Sequence, residues 1–262
     1  MLRVSTVMKL VFAAIILSTG AAKQAVAGCF PSVQLQPKIW LASTQPTVEI
    51  TYLGHSSFLL KTAQGTTAVT DYNGVHRPPS PPDIVTMNNA HSTHFTTLIE
   101  PEIKHALEGW GQNNQIATHD VTYEDIRVRN VPTSVHGREG AQANSNSIFV
   151  FEIDDLCVAH LGHLHHTLTD LHLGELGVID ILMVPIDGTW TMSQKEMAAV
   201  VRQIRPAIVL PMHFWGEDTV RRFAAHLPQG WTINNLQIST IALSRLTMGY
   251  REVALLRPAS GF

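Results

Sequence analysis

AHLGHLHHTLT (residues 159–169), LGVIDILMVPIDGTWTMS (176–193) and IRPAIVLPMHF (204–214) are three pieces of one pattern. Each carries a short apolar run that stops at a glycine, an aspartate or a histidine. LCVAHL reads as a strand, too short for a stable helix and bounded by Asp154-Asp155 and Gly162. Thr169 to Leu176 reads as a helix N-capped by Thr167 or Thr169, and Ile181–Val184 as the next strand. Ser193 then caps the helix QKEMAAVVRQI, and Ala207–Leu210 is another strand. Strands alternating with helices predict a layered α/β domain. Polar residues directly after such strands stand where these folds assemble their sites.

Upstream the same punctuation recurs in a β-rich setting. TVEITYL alternates from Thr47, Gly54 interrupts it and SFLLKT resumes it. A turn at Gln64-Gly65 leads into TTAVTDY, so 47–71 is a meander. The proline-rich RPPSPP then gives way to PDIVTMNNAHSTHFT, where the short strand Ile84–Met87 runs into His91 and His94. Imidazoles three positions apart share a face if the loop continues as a helical turn. Histidines clustered after a strand are a common way to present metal ligands. Ile103, Leu107 and Trp110 fall at helical spacing, which predicts a helix over Glu100–Trp110. Strands are expected around Gln115–Thr118 and over Ile126–Val131, and a Gly-rich polar loop over His136–Asn146. SIFVFEI is a further strand, Glu217–His226 a last helix, and the chain returns to β structure through Leu256.

With 262 residues, 45% hydrophobic and 15% charged, the chain suits a globular protein with a sizeable core. A formal net charge of −3 gives no reason to expect a nucleic-acid partner. Histidine is the outlier at 14 residues, and it favours a metal or acid/base site. Arg3 and Lys9, the apolar Leu10–Leu17 and the Ala25-Val26-Ala27 cleavage pattern predict a secretory signal peptide over 1–27, leaving a mature domain over 28–262. The apolar stretch is too short for a membrane span. Val26-Ala27-Gly28-Cys29 also resembles a lipobox, which would place a lipid anchor on Cys29; Lys23 and Gln24 interrupt the apolar region and favour ordinary cleavage. Either route puts the mature chain outside the cytoplasm, in a periplasm or otherwise secreted. Cys29 and Cys157 can pair in an oxidising compartment.

Four more places set histidine or a turn residue directly after a strand: Leu53-Gly54-His55-Ser56-Ser57, Val135-His136-Gly137, His160-Leu161-Gly162-His163 and Pro211-Met212-His213. With TYLGHSSFLL, AVTDY and the three opening stretches, this ordered series resembles the metallo-β-lactamase superfamily, in particular its ascorbate-6-phosphate-lactonase-like branch. The resemblance covers nearly the whole mature chain. It implies an α/β fold, a four-layer αββα sandwich, with one or two metal ions, usually zinc, along one edge of the sheets. The family motif H-x-H-x-D-H corresponds here to Asn89-Ala90-His91-Ser92-Thr93-His94, so His91 and His94 match while Asn89 and Thr93 depart. His136 and His213 match the later histidines, and His163 stands where the family has a metal-bridging aspartate.

Two zinc ions bring four positive charges, and the two carboxylates that normally offset them are absent. Neutral imidazoles cannot replace them, and a histidine bridges two metals only after losing its second proton. One ion is therefore expected rather than two. Family geometry implies His91 and His136 in one half, His94 and His213 in the other, and His163 between, so either half can become a three-histidine site with an open position. Iron or manganese also suits such a site.

The implied chemistry is hydrolysis of a small ester, lactone or phosphoester by a metal-bound water whose pKa falls towards about 7. Thr93 cannot be a base, which leaves His165 or His55. Asp71 is expected to orient a ligand histidine by accepting its N–H, and Asn89 would be a poor fourth ligand. The alternative is a non-catalytic metal- or ligand-binding protein on the same fold. Simpler readings apply elsewhere. His76, His105, His119 and His226 read as surface residues and His160 as packed. His165, His166 and His172 otherwise read as solvated or supporting residues, and Asp180 and Asp187 as strand-end caps, with Asp187-Gly188 near the site mouth. Trp190 and Trp215 either line a pocket or fill a core.

Overall fold

The computed structural model describes residues 28–30, 46–111, 115–137 and 140–259, so the expected signal peptide over 1–27 lies outside the described residues. Alternating strands build two sheets. The first has six strands, β1 (Val48–Gly54), β2 (Ser57–Thr62), β3 (Thr67–Val69), β4 (Ile84–Met87), β5 (His105–Glu108) and β13 (Thr240–Leu243), in the order β13-β1-β2-β3-β4-β5. The second has eight, β6 (Asp120–Tyr123), β7 (Ile126–Gly137), β8 (Gly140–Ile153), β9 (Leu156–His160), β10 (Ile181–Pro185), β11 (Ile208–Met212), β12 (Thr232–Asn235) and β14 (Glu252–Leu255). Their order is β12-β14-β11-β10-β9-β8-β7-β6.

Period-two alternation decides what each face meets. Ile50, Phe58, Leu60 and Ile84 of the first sheet pack against Phe149, Phe151, Met183 and Leu210 of the second, a core of fully buried side chains. The intervening residues face outward. Val150, Ala159, Leu182 and Val184 meet Met197, Val200 and Val201 of α2 (Gln194–Ile204) and Phe223 of α3 (Glu217–Ala224), with Leu176 of α1 (Asp170–Leu176) alongside. Val69, Val85 and Met87 on the other outer face are covered by Tyr72, Phe95, Ile99 and Trp110. The result is an α/β sandwich. Both expected caps are in place: Thr169 accepts from His172 N–H and Ser193 from Glu196 N–H, each in a reciprocal capping box. No helix among the described residues is long and apolar enough to cross a membrane.

Three expectations change. Glu100–Trp110 is not a helix: β5 pairs in parallel with β4, from Ile84 opposite His105 to Met87 opposite Glu108. Leu107 enters the inter-sheet core while Ile103 and Trp110 pack on the outer face, so spacing that mimics a helix is met by two sides of a sheet. Gln115–Thr118 has no regular structure, and the strand there is β6. His136–Asn146 is no loop, because β7 and β8 stay paired out to Gly137 opposite Gly140. That hairpin outruns the core, and its end is polar because backbone pairing holds it while its side chains face solvent.

Cys29 and Cys157 form a disulfide with 5.8 Å between their Cα atoms, tying the chain ahead of β1 to β9. The bond closes a 128-residue separation, and Val178 N–H donates to Cys29 O at 2.9 Å beside it. Replacing both cysteines with alanine is expected to cost about 2–5 kcal/mol. Urea unfolding of the two proteins under oxidising conditions reads this directly, and equal midpoints would show that the bond contributes nothing.

Candidate metal centre

The site forms at one end of the sandwich, where strand ends turn sharply. His55 follows β1, Asp71 lies just past β3 and His213 follows β11; all three have positive φ, at 52°, 45° and 54°. Left-handed backbone is uncommon outside glycine, and histidine and aspartate are among the residues that tolerate it. Three such positions converging on one point mark a place where packing holds a local cost for the sake of side-chain direction.

His94 is fully buried, and its Nδ1 lies 2.6 Å from Asp71 Oδ2. Burial would raise the Asp71 pKa, but His94, His160 and the Asn88 N–H bonded at 3.0 Å outweigh it and hold it below the usual value. The carboxylate is thus an acceptor and Nδ1 carries a hydrogen, so the neutral ring of His94 has its lone pair on Nε2. That Nε2 sits 3.2 Å from His213 Nε2. Two ligands at about 2.0–2.1 Å around a tetrahedral ion stand about 3.3 Å apart. His55 completes the group: its ring centroid is 4.0 Å from that of His213, and its Nε2 is buried with no hydrogen-bond partner. Ligand atoms of His55, His94 and His213 all lie within 4.8 Å of one another. Burial first, and His94 second, lower the His55 pKa to about 4; the same causes hold His213 well below its usual value. Neutral rings keep the lone pairs that a metal needs. Three imidazoles with an orphaned nitrogen fit a borderline-soft divalent ion such as zinc.

The other histidines named from the sequence surround this group. His163 lies beside it, 4.9 Å from His94 and 5.6 Å from His213 between ring centroids. Its Nδ1 is bonded to His165 Nε2 at 3.0 Å, and Nδ1 of His165 accepts the His136 N–H at 3.1 Å. Both nitrogens of His165 are therefore engaged. His166 Nε2 likewise accepts the Ser134 N–H at 3.0 Å, so the two rings satisfy alternate N–H groups along the uncovered edge of β7. His136 is exposed and faces His165 and His166, with centroids 6.4 and 6.5 Å away, rather than the buried trio. His91 is exposed, stacks on His163 at 6.0 Å and is held through Nδ1 by Thr93 Oγ1 at 2.9 Å. Asn89 spends its amide nitrogen on Ser145 O at 2.6 Å. His160 is buried, donating from Nε2 to Ser56 O and accepting the Gly162 N–H at Nδ1.

Gly162 makes the turn that presents His163. Its φ is 61°, and a Cβ there would lie 2.5 Å from both Asn88 Cβ and Asn146 Oδ1. Asn146 Oδ1 in turn accepts the His163 N–H at 2.8 Å. Asp187 is expected as a strand-end cap near the site mouth. It does cap, accepting from Thr189 N, Trp190 N and Thr191 N, and its Oδ1 also stands 3.9 Å from His213 Nδ1. Burial would raise its pKa, but the Thr191 hydroxyl, which donates to Oδ1 at 2.6 Å, and those N–H groups outweigh it and keep it low. A second carboxylate thus stands behind the trio, and the Asp-Gly after β10 was its one trace in the sequence. Above the trio opens a cleft of about 1690 Å³ lined by Trp110, Trp190 and Trp215, with Trp190 and Trp215 each more than two-thirds exposed.

The β-lactamase superfamily domain matches residues 49–213 of the chain, from β1 through the last of the three histidines. A UPF0173 metal-dependent hydrolase of Methanosarcina barkeri is 27% identical over 203 residues, covering 67% of this chain and 86% of its own length. A UPF0173 protein of Pyrococcus abyssi is 26% identical over 183 residues, covering 64% and 83%. Among solved structures, one from Thermotoga maritima, named as a Zn-dependent hydrolase of the metallo-β-lactamase superfamily, superposes with a TM-score of 0.58 at 26% identity, covering 80% of this chain and 98% of that one. On this match and this architecture, the chain belongs to the metallo-β-lactamase superfamily.

Proposed function

We propose that the protein is an exported metal-dependent hydrolase of small, uncharged esters or lactones, with one ion held by His55, His94 and His213. The observation that supports it most is the 3.2 Å approach of two buried Nε2 atoms beside a third imidazole nitrogen that has no partner. Buried polar atoms are rarely left so without a ligand. A cation bound there supplies Lewis acidity towards a carbonyl oxygen and towards water. Asp71 holds His94 through Nδ1, and Asp187 faces Nδ1 of His213, which keeps Nε2 of each ring directed inward. His91 stands over the cleft, with Nδ1 held by Thr93 Oγ1 at 2.9 Å and accepting the Thr93 N–H at 3.5 Å.

Among the described residues lining the cleft there is no lysine or arginine, and Glu196 is a carboxylate facing the same space. A phosphoester dianion would lack the cations such groups are normally bound by. Three tryptophan rings suit an apolar or neutral acyl group instead. Membership of the ascorbate-6-phosphate-lactonase-like branch remains part of this reading, and its lactone carries over where its phosphate does not. Export is supported by the Cys29–Cys157 bond, which suits an oxidising compartment. The same Sγ would be consumed by a lipid on Cys29, which favours simple secretion over an anchor.

The absence of carboxylates at Thr93 and His163 favours a second reading, a metal-binding protein without turnover. Elemental analysis of the mature protein, together with a panel of uncharged esters and lactones, decides between them. One transition-metal ion per chain with chelator-sensitive turnover is expected. Bound metal without turnover leaves the second reading, and protein that binds no metal ends both.

A further inference from the structure

We infer that His163 is not a metal ligand but a fixed hydrogen-bond donor, aimed at the oxygen of the substrate carbonyl. The inference rests on the hydrolase reading for its substrate, and on a chain of hydrogen bonds for everything else.

The chain has one end that cannot be reversed. The His136 backbone N–H can only donate, and it donates to His165 Nδ1 at 3.1 Å. That nitrogen must carry a lone pair, so the hydrogen of a neutral His165 is on Nε2. His165 Nε2 lies 3.0 Å from His163 Nδ1. It therefore donates, and His163 Nδ1 accepts. The hydrogen of His163 is then on Nε2, the ring nitrogen with no hydrogen-bond partner among the described residues. An imidazole N–H cannot coordinate a cation through that same nitrogen. It can stabilise charge that develops on an oxygen held beside the ion.

Position agrees with direction. His163 lines the cleft, its ring meets that of His94 edge-on at 4.9 Å, and it does not belong to the close group formed by His55, His94 and His213. With Nδ1 accepting from His165, the ring's single hydrogen is on Nε2. The family's aspartate at this place would be an acceptor and a ligand. Histidine here reverses the polarity of the position, and His165 holds it reversed. His163 is thus a catalytic residue in this scheme, and His165 is the positioning residue that sets its tautomer.

Long-range proton–nitrogen NMR of the histidine rings tests the assignment without any substrate. With signals identified from His163→Gln and His165→Gln, both rings should show a protonated Nε2 and an unprotonated Nδ1, before and after zinc is added. Loss of the His163 Nε2 proton on adding zinc would overturn the proposal, because the ring would then be a ligand. His163→Ala should bind zinc as the full-length wild type does, while kcat on a neutral ester falls about 10²–10³-fold with little change in KM. His163→Gln, which retains an N–H donor, should recover part of that loss. His165→Leu should keep its zinc, show mixed tautomers at His163 and lose kcat several-fold. Zinc content falling in His163→Ala, or kcat unchanged, would refute the donor role. Should no ester be turned over by the wild type, the hydrolase reading fails, while the tautomer and zinc measurements still decide whether His163 is donor or ligand.

Discussion

His213→Ala is expected to empty the metal centre and to lower kcat/KM on any substrate of the wild type by on the order of 10³-fold or more. The size follows from what a Lewis acid contributes, several kcal/mol of transition-state stabilisation, at a tenfold in rate for each ~1.4 kcal/mol. The direction follows from geometry. His213 Nε2 is the atom 3.2 Å from His94 Nε2, and its ring lies 4.0 Å from that of His55, so its removal leaves two imidazoles that cannot close a tetrahedral site. A companion variant makes the experiment sharp. His136 matches a family ligand in order along the chain, yet it is exposed and faces His165 and His166. His136→Ala should keep its metal and most of its activity, because the group that locks His165 is the backbone N–H of residue 136 and survives the substitution. Elemental analysis and steady-state kinetics on the two variants check both. Metal retained in His213→Ala, or lost in His136→Ala, would mean that the ion sits in the other half of the cleft.

The contrast between those two histidines shows what a linear reading can and cannot reach. Strands with strong alternation, such as TVEITYL and SFLLKT, and helices with explicit caps at Thr169 and Ser193, carry their structure in local chemistry. The match of strand ends to a family pattern then places His94, His213 and Asp71 near one another. Nothing local distinguishes β5 from a helix, since Ile103, Leu107 and Trp110 satisfy the spacing of either and the parallel pairing with β4 decides. The polar end of the β7–β8 hairpin is equally mute, because its order comes from a partner strand. Within the site, the sequence names the imidazoles but not their tautomers. Whether His55 is a base or a ligand depends on its backbone turn at φ 52° and on having no partner for Nε2, and both are properties of the assembled fold. Asp187 is the sharpest case. Its role as a turn cap is readable from Asp-Gly, whereas its approach to His213 needs two strand ends side by side, β10 and β11.

Asp71→Asn should weaken metal binding by about 10–100-fold and lower stability by about 1–3 kcal/mol, although the substitution changes hardly any volume. Asparagine accepts the same left-handed backbone, so the φ of 45° is no obstacle. The obstacle is the direction of the hydrogen bonds. Asp71 accepts twice, from the Asn88 N–H at 3.0 Å and from His94 Nδ1 at 2.6 Å. An amide offers one acceptor and one donor. If its oxygen stays with Asn88, its NH₂ meets His94 Nδ1, and the imidazole must move its hydrogen to Nε2, the atom that should hold the ion. If the amide turns round, the Asn88 N–H is left facing a donor in a fully buried place. The acid limb of stability carries a second signature. The folded pKa of Asp71 lies below its ordinary value, so the carboxylate stabilises the fold above about pH 3.9, and that contribution is lost as pH falls through the folded value. The variant should therefore differ most from the wild type near neutral pH and converge with it in strong acid. Zinc titration and urea unfolding across pH read the two effects separately. Wild-type zinc affinity in Asp71→Asn would show that His94 is not held by this carboxylate in the metal-bound protein.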